Sequence, residues 1–176
     1  MWDQLVDALR DCGVGFAPGL TDDEVSATEA RFALRFPPDL RAFLQTALPR
    51  GGRFTDWRSG DEGKLRETLD EPLVGLLYSI DHGYWVRGWG PRPPTTEEAR
   101  RLATRLVGAG PRLIPVYGHR MMPAEPHLPG NPVFSVHGAD IIRYGAELRD
   151  YLIHEFMARE DIAVWPMADA FRPIAF

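Results

Sequence analysis

Ser135, His137 and Asp140, in the segment SVHGAD, are residues of the types that form a hydrolytic triad. In an extended strand Ser135 and His137 would share a face, because side chains alternate with a period of two. A triad also needs its serine exposed on a strained turn, and the sequence has no G-x-S-x-G motif. The alternative is a strand that ends in a glycine turn, with Asp140 accepting backbone N–H bonds. We favour this alternative, assign no catalytic residue and expect no enzymatic activity.

Metal binding is the second chemistry that these residue types allow. Potential zinc or iron ligands occur at four positions: His119, His127, His137 and Asp140. Their spacing matches no ligand signature such as H-E-x-x-H. Two glycine-containing segments, residues 50–53 and 88–93, lack the G-K-[ST] ending of a phosphate-binding loop. We therefore expect neither a metal nor another cofactor.

A small-molecule site would require polar side chains that converge above an apolar floor. The sequence offers one such candidate set: His119, Arg120, His137 and Tyr144. A pocket formed by these four residues is the alternative in which the protein is a small-molecule binder or an enzyme.

Two other segments are candidates for binding a protein partner. In YWVRGWG, Trp85 and Trp89 flank Arg87, and tryptophan and arginine are enriched at interface hot spots. Tryptophans near glycines also cover the edge of a core, and that structural interpretation remains open. The segment 61–71 carries five carboxylates, which form either a solvated helix face or a docking patch for a basic partner. These are Asp61, Glu62, Glu67, Asp70 and Glu71.

Helical periodicity dominates the front of the chain, and strand-length apolar runs dominate its second half. Thr21 with Glu24, and Thr95 with Glu98, have the spacing of capping boxes that open helices. The predicted helices follow Trp2, Thr21, Pro38, Asp61, Thr95 and Leu148, and the predicted strands are residues 72–80, 113–117, 132–136 and 139–144. The segments FAPGL and HRMMPAEPHLPGN are predicted as loops, and the third helix is predicted to end near Pro49. This order indicates a single α+β domain over residues 1–176, with a helical N-terminal portion and helices packed on a mainly antiparallel or mixed sheet.

Bulk composition limits the classes of molecule that the protein could bind and the compartment in which it could work. The chain has 176 residues and a formal net charge of −5, which argues against nucleic acid because phosphate binding needs a basic face. Its single cysteine, Cys12, cannot form an internal disulfide and suits a reducing compartment. We find no signal peptide and no membrane span, so we expect a cytoplasmic location. The apolar segment 160–176 is predicted to pack back on the body.

Several segments, taken in order, resemble blocks of the SUKH superfamily, which includes the fungal Smi/Knr-type cell-wall assembly regulators and many bacterial proteins. PGLTDDEVSATEARFALRFPPDLRAFL resembles its opening signature, with Glu29 as the glutamate in mid-helix. FTDWR, WGPRP, PVYGHR and NPVFSVHGADIIRYGAEL resemble its later blocks, so the similarity runs from about Trp2 to Phe156.

The resemblance implies a single α+β domain that binds protein and performs no catalysis. Many bacterial members are similar to immunity proteins that neutralise a secreted toxin, often a nuclease, whereas fungal members act as regulatory scaffolds with disordered flanks. The family has no catalytic residues to transfer. We therefore expect an immunity protein that neutralises a toxin, such as a basic nuclease, by direct binding. A regulatory adaptor of the same fold is the alternative, and the oligomeric state stays open.

Overall fold

The computed structural model describes residues 2–157, and its helices cluster at the front of the chain while its strands follow behind. In chain order the elements are α1 (Trp2–Asp11), β1 (Gly15–Pro18), α2 (Asp22–Phe32), α3 (Pro38–Thr46), β2 (Ala47–Arg50), α4 (Glu62–Asp81), a 3-10 turn (Arg87–Trp89), α5 (Thr96–Gly108), β3 (Leu113–Tyr117), β4 (Arg120–Pro123), β5 (Val133–His137), β6 (Asp140–Gly145) and α6 (Leu148–Met157). They form a single α+β domain that begins with a helix, as the sequence predicted.

Both predicted capping boxes are present. The Thr21 side chain accepts a hydrogen bond from the Glu24 backbone N–H, and the Glu24 carboxylate accepts one from the Thr21 N–H. Thr95 and Glu98 repeat this arrangement at the start of α5. Each box pairs backbone N–H groups that the first turn of a helix leaves without an intrahelical partner.

The strands form two antiparallel sheets. β1 and β2 make a two-stranded ribbon, whose ends pair Gly15 with Arg50 and Pro18 with Ala47. The other four strands form a meander in the order β3-β4-β5-β6. Three loop and boundary predictions were therefore wrong. FAPGL contains most of β1, residues 47–50 leave α3 to pair as β2, and the proline-rich segment after Gly118 contains β4. In each case cross-strand hydrogen bonding overrode a local turn or helix signal.

The predicted strand 72–80 is the second half of α4. A short apolar run does not distinguish a buried strand from a buried helix. In the structure Leu65, Leu69, Leu76 and Ile80 recur at helical spacing and face inward or into partly buried contacts. Pro72 lies inside this helix, where it supplies no N–H to the helical ladder.

The core has two parts. The larger joins the N-terminal helices, the β1–β2 ribbon, one side of the four-stranded sheet and α6. The smaller lies between α4 and α5, where Ile80, Ala99 and Ala103 are buried under Trp85 and Trp89. No helix among residues 2–157 is long and apolar enough to cross a membrane. The predicted packing of the segment 160–176 falls outside the described residues.

Candidate functional site

The four residues of the predicted pocket do converge on one face of the four-stranded sheet. The Arg120 guanidinium lies 3.8 Å from the centroid of the Tyr144 ring, and the His119 and His137 rings are 5.9 Å apart. Arg120 reaches this position because it lies opposite Ser135 in the β4–β5 ladder, and residues opposite each other project their side chains from the same face of a sheet. The four side chains therefore lie near one another, although β4 itself was not predicted; a binding site formed by them stays a prediction.

Within this cluster the side chains bind one another. Arg120 donates a hydrogen bond of 2.7 Å to the Ser135 hydroxyl and contacts the His119 ring nitrogen Nε2. The other ring nitrogen, Nδ1, lies 3.2 Å from the Arg53 guanidinium. The Arg120 Nε atom lies 3.7 Å from the Glu155 carboxylate, and both side chains are largely buried. Arg120 is thus stacked and hydrogen-bonded inside the fold, although its buried Nε atom has no hydrogen-bond partner among the described residues.

Electrostatics keep His119 uncharged at neutral pH. Burial lowers the pKa of His119 below its ordinary value, and the positive charges of Arg120 and Arg53 lower it further. The negative charge of Glu71 acts in the opposite direction. A neutral imidazole has one acceptor nitrogen, so His119 accepts a hydrogen bond from one arginine at a time. This arrangement suits a structural connection between loops.

Beneath the cluster, α6 contributes a buried phenol. The Tyr151 side chain is fully buried, with its ring 6.1 Å from that of Tyr144. Burial, followed by the charge of Glu155, raises the pKa of the Tyr151 hydroxyl, so the group stays protonated. A permanently protonated phenol can donate a hydrogen bond, but it does not act as a base at neutral pH.

The hairpin between β5 and β6 accounts for the residues that resembled a triad. His137 pairs with Asp140 across a two-residue turn in which Gly138 has a φ of 61°. A positive φ at the first central position is the reason for glycine there. Ser135 and His137 share a face, as predicted, but the Ser135 hydroxyl accepts its hydrogen bond from Arg120. Among residues 2–157, no group of three or more His, Cys, Asp or Glu side chains is placed to hold a metal ion.

The acidic residues of the predicted docking patch lie along the first half of α4 and are all exposed. Asp61 caps the helix by accepting a hydrogen bond from the Lys64 N–H, and Glu62 pairs with Arg66 at 2.7 Å. Three other carboxylates form no ion pair with another described residue: Glu67, Asp70 and Glu71. Their charge is therefore available to a partner.

An exposed apolar stretch continues the same side of the helix. Val74 is 62% exposed and Tyr78 is 65% exposed. Glu67, Glu71, Val74 and Tyr78 follow a 4-3-4 spacing, which places them on one side of a helix. We call Glu67, Asp70, Glu71, Val74 and Tyr78 the α4 outer face. Sequence reasoning missed its apolar half because residues 72–80 were predicted as a strand. Helical continuation of the spacing from Glu67 is the signal that would have found it.

The candidates Trp85, Arg87 and Trp89 are separated from these acids. They follow the C-terminal end of α4, and that end lies about 15 Å along the helix axis from Glu71. Trp85 donates a hydrogen bond from its indole N–H to the Gly90 carbonyl at 2.8 Å, and the two indole rings pack edge to face at 5.4 Å. Both tryptophans cover the small core between α4 and α5, which matches the structural interpretation. Arg87 is exposed.

A cleft of about 300 Å³ is lined by members of both the acidic docking patch and the His/Arg/Tyr cluster. It lies between the loop that follows β2, the first half of α4 and the β3–β4 turn. Asp61 and Glu71 line it together with His119, whereas Arg120, His137 and Tyr144 do not. The cleft also contains Arg53 and Lys64, so it carries charges of both signs.

The fold and these surfaces define a single-domain α+β protein with an acidic, partly apolar helix face beside a self-contained His/Arg/Tyr cluster. Comparisons with protein-family models, with curated proteins and with solved structures found no match for this chain.

Proposed function

We propose that this protein is a non-catalytic binding module that holds a basic protein partner on the α4 outer face. Specifically, we propose an immunity protein of the SUKH type that neutralises a toxin such as a basic nuclease. The observation that carries the proposal is that Glu67, Asp70 and Glu71 are exposed, bear no ion pair with another described residue and adjoin exposed Val74 and Tyr78.

Charge supports a basic partner. The chain has a net charge of −5, and the α4 outer face concentrates three carboxylates within five residues. Complementary charge accelerates association and selects against partners of the same sign. Carboxylates that already pair internally, such as Glu62 with Arg66, contribute less to this field.

The exposed apolar side chains supply what charge alone does not. Protein interfaces place apolar or aromatic groups at a desolvated centre and charged groups at a hydrated rim. Tyrosine is among the residues enriched at energetic hot spots. Tyr78 is held in place because its ring packs against His82 at 4.2 Å, which reduces the entropy lost on binding.

The His/Arg/Tyr cluster supports a structural role better than catalysis. Its arginine is stacked on Tyr144 and hydrogen-bonded to Ser135, and both ring nitrogens of His119 lie against arginine side chains. The order of the SUKH-like segments favours the same class of binding protein, and the single, exposed Cys12 is consistent with the cytoplasm. A regulatory adaptor that uses the same face is the alternative within this class.

The test is binding to toxin-like proteins encoded beside this one, by coexpression and by measured association kinetics. We expect the variant Glu67→Gln/Asp70→Asn/Glu71→Gln to associate about tenfold more slowly at low salt, with the difference shrinking as salt is added. The matched control is Asp3→Asn/Asp11→Asn/Glu147→Gln, which removes the same charge from exposed positions on α1 and before α6.

Recovery of a metabolic or envelope enzyme in place of a toxin would favour the adaptor. Equal association rates for the two triple variants would exclude the α4 outer face as the binding site. Turnover of a substrate by the purified protein would contradict the whole proposal.

A further inference from the structure

The two edges of the four-stranded sheet differ in their protection. At one edge, β3 contains Pro115, and Phe54 forms a bridge with Tyr117 from outside the sheet. Proline and a covering segment are two of the ways in which proteins prevent an edge strand from pairing with another chain. At the other edge, β6 contains no proline and pairs only with β5 among the described strands.

The backbone of β6 presents hydrogen-bonding groups to this open edge. His137 and Asp140 close the two-residue hairpin, so they form a hydrogen-bonded pair, and the next pair, Val136 with Ile141, does not exchange hydrogen bonds. In agreement, the Val136 N–H donates to the His119 carbonyl on the opposite side, at 2.9 Å. The N–H and C=O of Ile141 therefore point away from β5, into the open edge.

Apolar side chains accompany these backbone groups. Ile141, Ile142 and Tyr144 are 37%, 40% and 37% exposed. The irregularity of the β5–β6 ladder leaves Tyr144 as an extra residue of β6 between the pairs Phe134–Arg143 and Val133–Gly145, whereas residues 140–143 pair regularly with β5. Over residues 140–143 the edge is regular, contains no proline and carries apolar side chains, which makes this part of β6 a template for pairing with another strand.

We propose that β6 pairs with β6 of a second copy of this chain, antiparallel, and so joins the two four-stranded sheets across a two-fold axis at Ile142. A two-fold axis perpendicular to a sheet leaves each face unchanged, so only residues of the same face can lie opposite one another. With the axis at Ile142, Ile142 faces its own copy, Ile141 faces Arg143, and Asp140 faces Tyr144. No like charges lie directly opposite in this register.

Charge complementarity favours a second copy of this chain as the partner of β6. Arg120 is stacked on the Tyr144 ring, and the His154 ring lies 5.8 Å from it. In the proposed register the Asp140 carboxylate of the second copy lies beside Tyr144 of the first copy, and therefore near the Arg120 guanidinium that stacks on that ring. Asp140 has no ion pair with another described residue, so the pairing gives its charge a counterpart. The two-fold axis forms each such contact twice.

The helix that packs on β6 leaves this register open. α6 contacts the C-terminal end of the strand, where Tyr151 lies against Gly145. Antiparallel pairing places the two copies of α6 at opposite ends of the interface. The surface is distinct from the α4 outer face, so the proposal goes beyond the proposed function and can fail or succeed without it.

The first test is the mass of the full chain in solution, measured by sedimentation equilibrium over a range of concentrations. We expect a concentration-dependent dimer whose dissociation constant rises about tenfold or more in Ile141→Pro, because proline removes one outward donor from each copy. Edge strands tolerate proline where the N–H faces outward, so the β5–β6 ladder is retained. Circular dichroism checks that the variant is folded. A chain that stays monomeric at every concentration overturns the proposal.

The second test is covalent and does not depend on the proline variant. Ile142 would form a non-hydrogen-bonded pair with its own copy, with Cα atoms about 4.5 Å apart, which suits a disulfide. In a Cys12→Ser background, Ile142→Cys should crosslink into dimers under mild oxidation, whereas Val74→Cys, an exposed position on α4, should not. Equal crosslinking of the two variants, or none at Ile142→Cys, excludes pairing through β6.

Discussion

Arg58 shows how one side chain connects segments that are distant in the sequence. Its guanidinium contacts the Glu24 carboxylate at 2.5 and 2.9 Å and donates hydrogen bonds to the carbonyls of Pro18 and Gly19. Glu24 also completes the capping box of α2 with Thr21, so one carboxylate serves both a helix start and a loop. The hydrogen bond from Arg58, and then that from the Thr21 backbone, lower the pKa of Glu24 from 4.5 to about 2.

This shift predicts how stability depends on pH. Because the folded pKa of Glu24 is depressed, its contribution is fully present above pH 4.5 and is lost as the pH falls toward 2. We expect Glu24→Gln to reduce the free energy of unfolding at neutral pH, with the gap from the unsubstituted protein closing through this window. Urea denaturation at several pH values measures it. Glu62→Gln, which breaks an exposed pair, is the control and should have little effect; a gap independent of pH would contradict the assignment.

At the scale of an element, a residue inside α4 is explained by what the helix packs against. Gly75 lies in its interior, where glycine ordinarily weakens a helix. A Cβ atom on Gly75 would lie 2.9 Å from the Cα atom of Gly138 in the β5–β6 turn. The missing side chain lets the hairpin approach the helix backbone.

Gly75→Ala therefore tests packing against helix propensity. Alanine improves helix propensity by about 1 kcal/mol, but overpacking against a backbone costs about 1–3 kcal/mol. We expect a net destabilisation of about 1 kcal/mol in chemical denaturation. Gly108→Ala, at the end of α5 with no atom within 4 Å of the added Cβ, is the control and should be neutral or stabilising. Stabilisation by both substitutions would mean that the contact with Gly138 relaxes freely.

At the scale of the whole molecule, a few polar contacts join the helical front to the sheet behind it. The buried carboxylate of Asp39, in the first turn of α3, accepts a hydrogen bond of 3.1 Å from the Gly130 N–H, 91 residues away. Arg112, just before β3, donates 2.7 and 3.1 Å hydrogen bonds to the carbonyls of Phe32 and Ala33 at the end of α2. These contacts fix the helices relative to the sheet.

We predict that Asp39→Ala lowers the free energy of unfolding by about 1–3 kcal/mol, because it leaves a partly buried N–H without its acceptor. Asp23→Ala is a close control, since Asp23 occupies the equivalent helical position in α2 but is exposed. Both substitutions remove an acidic residue from a first turn, and only Asp39 makes the long-range bond. Equal losses in denaturant titrations would assign the whole effect to the helix terminus.

The candidate site was only partly predictable from sequence. His119, Arg120, His137 and Tyr144, proposed from their residue types, lie near one another, although β4, which carries Arg120, was not predicted. Glu67, Asp70 and Glu71 were found from composition. Val74 and Tyr78 were missed, since an apolar run of nine residues carries no reliable period. The placement of Trp85 and Trp89 over Ala99 and Ala103 depends on how α4 and α5 meet, which no local pattern encodes.

Sequence alone determined the α+β class, both capping boxes and the turn at Gly138, because each follows from interactions within a few residues. The tertiary structure decided that residues 72–80 are helical, that residues 47–50 and 120–123 are strands, and that β6 is an open edge. Those outcomes depend on hydrogen bonds and packing between segments far apart in the chain. Their energies are comparable to the local preferences that they override.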